Sequence, residues 1–136
     1  MKNLFIKTAL ISVTNKHKID VLAKKLIKLG IKILSTGGTS KFLKSKSLEV
    51  LDVKDITNFP EILNGRVKTL HPKIYAGILY DNNIPSHKKD FDNYKDSNNP
   101  FYNLTKIDLV IVNLYPFTEV IKQNKDENIE IENIDI

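Results

Sequence analysis

Cysteine and tryptophan are absent from the 136 residues, and methionine occurs once. Without cysteine there is no disulfide framework, no thiolate zinc site and no thiol nucleophile. No apolar run approaches the ~18 residues that a membrane-spanning helix requires. The opening Met-Lys-Asn-Leu-Phe-Ile-Lys has too short an apolar stretch for a signal peptide and no small-residue cleavage site, so a soluble cytoplasmic protein is expected. Histidine is scarce, and His17, His71 and His87 show no ligand spacing, so no metal is expected. Arginine is scarcer still, with Arg66 alone among 21 cationic residues.

What is present suffices for one folded domain. Apolar residues make up 41% of the chain and charged residues 27%, a balance that excludes a disordered chain. The charge is unevenly placed. Residues 1–73 carry 15 Lys/Arg against 5 Asp/Glu, and residues 74–136 carry 6 against 11. A basic first half suggests an anionic partner, either nucleic acid or a small phosphate ester. A nucleic-acid reader would normally use arginine for base edges and forked phosphate contacts, so the near-absence of arginine disfavours that class. Lysines on solvated helix faces account for much of the excess.

Along the chain, Thr8-Ala-Leu-Ile-Ser-Val13 reads as a buried strand. Thr14 and Asn15 offer capping side chains to a helix in which Ile19, Leu22, Ala23, Leu26 and Leu29 recur at helical spacing, and Gly30 ends it. Residues 31–35 form a second strand, 36–39 a turn, 40–46 a second helix and 48–53 a third strand. Residues 57–73 look like loop with one helical turn. Residues 74–80 are expected to be a strand, 81–106 a polar surface excursion with one weak helix, 106–113 a buried strand, and 116–122 a helix with Pro116 in its first turn. No internal repeat is visible. The alternation predicts an α/β fold, a doubly wound, mostly parallel sheet with helices on both faces.

In such a sheet ligands bind at the carboxyl ends of the strands. Four polar clusters fall there or beside it: Ser12 to Lys16, Ser35 to Thr39, Asn113 to Phe117, and the irregular Gly65 to Pro72. The Thr36-Gly37-Gly38-Thr39 turn suits a phosphate, because two glycines let the backbone approach and a helix N-terminus follows. The same turn is also ordinary strand-to-helix chemistry. Lys16 could supply a point charge to the same phosphate. Arg66 and Lys68 read either as a charged surface turn or as a basic loop that clamps an anion and brings a lysine to a reaction centre. Tyr115 reads equally as a core aromatic or a pocket hydroxyl.

Four strings occur in order: Leu10-Ile-Ser-Val-Thr-Asn-Lys16, Ser35-Thr-Gly-Gly-Thr39, Phe59-Pro-Glu-Ile-Leu-Asn-Gly-Arg-Val-Lys-Thr-Leu-His-Pro72 and Val112-Asn-Leu-Tyr-Pro-Phe117. Together they resemble the IMP cyclohydrolase domain at the N-terminus of the bifunctional purine biosynthesis enzymes, over nearly the whole chain. The resemblance implies a methylglyoxal-synthase-like fold. It implies dehydrative ring closure of FAICAR to IMP without a cofactor. It implies a nucleotide as the small-molecule partner, a homodimer in the full-length protein, and neither nucleic acid nor membrane as partner. By position it implies that Lys68, Tyr115 and Asp135 act in catalysis. Ser12, Thr14, Lys16, Thr36, Gly37, Gly38, Thr39, Arg66, Thr69 and Asn113 would bind substrate and its phosphate. Glu132-Asn-Ile-Asp-Ile136 resembles the start of a further active-site segment. On that basis residues 1–136 are expected to be this domain, incomplete at its C-terminus, lacking the formyltransferase half and weakly stable. The alternative is a nucleotide- or phosphate-sensing regulatory module on the same fold. Methylglyoxal synthase shares the glycine turn but lacks the Gly65–Pro72 and Asn113–Phe117 patterns.

Overall fold

The structure, a computed structural model, describes residues 5–65, 67–94 and 104–123. Four strands form one all-parallel sheet: β1 (Thr8–Ser12), β2 (Lys32–Ser35), β3 (Leu51–Asp52) and β4 (Leu109–Val112). Their order is β3-β2-β1-β4. The chain winds outward from β1 to β3 and later returns to the other side of β1. The direction of winding therefore reverses between β1 and β4, and such a switch point opens a crevice at the carboxyl ends of the strands.

The strands alternate faces, and the core divides accordingly. Ala9, Ile11 and Ile33 point to one face with Ile19, Ala23 and Leu26 of α1 (Ile19–Lys28) and Leu43 of α2 (Gly37–Ser45). Leu10 and Leu34 point to the other face, against Val53 of α3 (Val53–Thr57) and Ile74 of α4 (Pro72–Leu79), with Ile107 beside them. The expected α/β fold with helices on both faces is thus present.

Several boundaries differ from the expectation, each for a physical reason. Thr14 and Asn15 do not cap α1. Asn15 Oδ1 instead accepts from the His17 amide at 2.9 Å, and the N-cap position is Lys18 in a left-handed conformation. The expected 36–39 turn is shorter, because α2 begins at Gly37. Of residues 74–80, all but Tyr80 are helical rather than extended. Pro72 occupies the first turn of α4, and His71 Nδ1 accepts from the Lys73 amide at 3.2 Å, so the helix start is fixed before the apolar run begins. Burial, and then the Lys73 charge, lower the His71 pKa, which favours the neutral acceptor this cap needs. The buried strand expected over 106–113 is β4, an edge strand on which intermediate and exposed residues alternate. Helix α5 (Pro85–Asn93) buries none of its residues, in keeping with a surface excursion. Helix α6 (Phe117–Gln123) follows Pro116.

Asp52 pins α2 to β3. Ser40 Oγ donates to its Oδ1, and Lys44 Nζ donates to Oδ2 at 2.6 Å. Burial alone would raise the Asp52 carboxyl, but the bonds from Lys44 and Ser40, with the charges of Lys44 and Lys54, outweigh it and hold the pKa below its ordinary value. A lowered folded-state pKa adds stability that is present above the unfolded value and is lost as pH falls through the folded one. Asp52→Asn is expected to cost about 0.5–1 kcal/mol at neutral pH, the scale of a partly exposed pair. It should also flatten the fall of stability below about pH 4 relative to the parent, read from urea melts across that range.

Candidate functional site

The crevice is assembled from three strand ends and an intervening hairpin. At the end of β1, Ser12 Oγ lies 3.3 Å from Thr36 Oγ1, which stands at the end of β2. Thr36 is the N-cap residue of α2, yet its side chain makes no capping bond to the helix. The first N–H groups of a helix have no intrahelical partner, and the helix dipole gives that end a partial positive charge. Gly37 and Gly38 carry this turn without side chains to cover it. Lys16 approaches from the β1 side: its Cε and Nζ lie 3.8 Å from the place a Cβ on Gly38 would occupy, and its ammonium donates to the Thr14 carbonyl at 3.2 Å.

Two expected binding residues have structural duties instead of free polar atoms. The Thr39 hydroxyl, almost wholly buried, accepts from the Val13 amide at 3.1 Å and donates to the Val13 carbonyl at 2.9 Å. It ties the loop after β1 to the first turn of α2. Asn113, at the end of β4, accepts on Oδ1 from the Thr14 amide at 2.7 Å and the Asn15 amide at 3.3 Å. Its Nδ2 donates to the Asn15 carbonyl at 2.9 Å. Asn113 thereby clamps the loop bearing Thr14 and Lys16 across the switch point. Ser35 has a similar fixed role, donating to the Ile11 carbonyl at 2.6 Å.

Lys68 and Thr69 are half-buried and follow a small antiparallel hairpin. In it the Ile62 amide donates to the Val67 carbonyl at 3.2 Å, and the Val67 amide donates back at 3.4 Å, around a 3₁₀ turn at Leu63–Gly65. The hairpin reaches the crevice through Glu61, whose carboxylate rests against Gly37. Sequence reading missed Glu61. Its one signal was being the sole carboxylate between Asp55 and Asp81, within a basic segment. Tyr115 is exposed just beyond β4, which favours an available hydroxyl over a core aromatic. Arg66 and Asp135 lie outside the described residues.

Gly38→Ala separates structure from binding. A methyl there meets only Lys16 at 3.8 Å, so the fold accommodates it, and alanine favours a helix over glycine by up to ~1 kcal/mol. Melting should be unchanged or slightly raised. A phosphate ester, which needs close backbone approach at this turn, should bind about tenfold more weakly, as read by calorimetry.

Among the described residues no helix is long and apolar enough to cross a membrane, and no group of three or more histidines and carboxylates could hold a metal. The MGS-like domain profile matches residues 18–136. The bifunctional purine biosynthesis protein PurH of Caldicellulosiruptor saccharolyticus is 50% identical over 131 residues, covering 96% of this chain and 24% of that protein. The PurH of Acetivibrio thermocellus is 47% identical over 132 residues, again 96% of this chain and 24% of the relative. The chain therefore spans about a quarter of the length of these relatives. The crystal structure of ForH superposes with a TM-score of 0.67 at 32% identity, over 82% of this chain and 54% of that one. The chain belongs to the MGS-like domain family and is homologous to the N-terminal region of PurH, a bifunctional purine biosynthesis protein.

Proposed function

We propose that this domain catalyses the IMP cyclohydrolase reaction, the dehydrative closure of FAICAR to IMP. The observation that carries the reading is the uncapped start of α2, flanked by Lys16 and the Ser12–Thr36 hydroxyl pair. That arrangement offers a phosphate monoester backbone N–H groups, hydroxyls and an ammonium at once. Homology to one region of an enzyme of purine biosynthesis supports a nucleotide as the ester.

The reaction joins the carboxamide nitrogen to the formyl carbon and expels the formyl oxygen as water. The two groups belong to one molecule, so holding them in contact is chiefly a matter of positioning. Anchoring the 5′-phosphate at α2 fixes the far end of the substrate, with Arg66 and Thr69 completing its binding. Negative charge that grows on the formyl oxygen needs a placed donor, a role that suits Lys68 and the Tyr115 hydroxyl. The carboxamide nitrogen and the formamide nitrogen must each lose one proton and the departing oxygen must gain two, for which Lys68 and Asp135 have suitable chemistry. The reading includes a homodimer for the full-length protein and a cytoplasmic location.

The test is FAICAR turnover followed by absorbance, with calorimetric IMP binding on the same folded sample. Formation of IMP is expected. A folded chain that neither binds IMP nor converts FAICAR overturns the reading. Tight IMP binding without turnover would mean that the nucleotide pocket is present and that ring closure needs chemistry these 136 residues do not supply.

A further inference from the structure

The carboxylate of Glu61 is seated on the very turn assigned to phosphate. Its Oε1 and Oε2 lie 3.0 and 3.3 Å from where a Cβ on Gly37 would stand, so the missing side chain at Gly37 is what admits it. Gly37 has a φ of +46°, a conformation that other residues adopt only with strain. The position is electrostatically favourable. Thr36 leaves the start of α2 without a side-chain cap, and an anion at a helix N-terminus is stabilised by the open N–H groups and the dipole. Lys16 adds a positive charge on the Gly38 side of the same turn. A substrate phosphate bound there would meet a carboxylate at close range, and like charges so near one another repel.

We propose that Glu61 is an internal competitor for the phosphate end of the site, a carboxylate that holds the turn in the free protein and is displaced when a phosphate ester binds. This rests on the phosphate assignment made above. The hairpin extends its consequence. Ile62 pairs with Val67, so Glu61 and Lys68 are the next opposed positions on the two arms. Releasing Glu61 from Gly37 frees the arm opposite Lys68. Phosphate arrival is therefore coupled to the setting of the lysine assigned to the chemistry, and Glu61 acts as a positioning residue that sets affinity for the phosphorylated end.

The experiment titrates the 136-residue chain with IMP and, separately, with inorganic phosphate, in the parent, Glu61→Gln and Glu61→Ala. Glu61 is exposed, so neither variant threatens the fold. Both variants are expected to bind IMP about three- to tenfold more tightly than the parent, with inorganic phosphate moving the same way. A purely structural role for Glu61 would leave affinity unchanged or weaken it. IMP affinity unchanged or lowered in both variants overturns the proposal while leaving the functional reading in place. A folded parent that binds no IMP overturns the functional reading itself, and the competitor role falls with it.

Discussion

Lys68→Ala is expected to slow FAICAR ring closure by about 100-fold or more, the usual scale for a lost proton-transfer or charge-stabilising group. IMP affinity should fall far less, because the phosphate anchor proposed here lies on α2 and Lys16. Lys68 follows Val67, whose amide and carbonyl are both engaged by Ile62, so removing the side chain leaves the hairpin's own bonds in place. Lys68→Arg separates the two roles open to the lysine. Arginine keeps the positive charge but does not release a proton near neutral pH. Activity restored by arginine assigns Lys68 to charge stabilisation, and activity still lost assigns it to proton transfer. Turnover by Lys68→Ala within a few-fold of the parent removes Lys68 from the mechanism.

The largest effect on stability is expected at Gly77. This residue lies on the buried side of α4, and a Cβ there would collide with the Thr105 carbonyl oxygen and stand 3.2 Å from the Ile107 side chain. The obstacle is backbone that is itself fixed, because the Ile107 amide donates to the Gly77 carbonyl at 2.9 Å. The segment entering β4 therefore runs directly against α4, and only glycine permits the approach. Alanine would gain up to ~1 kcal/mol of helix propensity but must push the two segments apart. A net loss of about 2–3 kcal/mol is expected, with a fall in Tm of roughly 5–10 °C. Gly38→Ala is the contrasting control: two helical glycines, one with room for a methyl and one without. Equal melting of the two variants would contradict the packing described here.

The sheet was legible in the sequence wherever residues alternate or run apolar in short stretches bounded by turn signals. β1 and β2 are of this kind, and α1 declares itself by Ile19, Ala23 and Leu26. The run from Ile74 to Tyr80 is apolar enough for either a strand or a helix, and periodicity does not separate them. Pro72 and His71 decide it, through a cap that uses a histidine rather than one of the usual capping residues. β4 read as buried from its composition, whereas its place at the sheet edge depends on topology. In the site, the glycine turn and the hydroxyls were visible because their chemistry is local. The duties of Asn113 and Thr39 were hidden, since each binds a loop distant in sequence. Asn113 reaches Thr14 across 99 residues and Thr39 reaches Val13 across 26. Glu61 was hidden for the opposite reason: a carboxylate in a basic loop suggests nothing until α2 is seen beneath it.

The central claim is that one nucleotide site is built at the carboxyl ends of β1, β2 and β4 and closed by the Lys68 hairpin. Amide chemical shifts of the uniformly ¹⁵N-labelled chain, recorded while IMP is added, test it most directly. The largest changes are predicted at Val13 to Lys16, at Gly37, Gly38 and Thr39, at Lys68 and Thr69, and at Asn113 to Tyr115, saturating together with a single Kd. Changes confined to other surfaces, or none at all in a folded sample, would contradict the account.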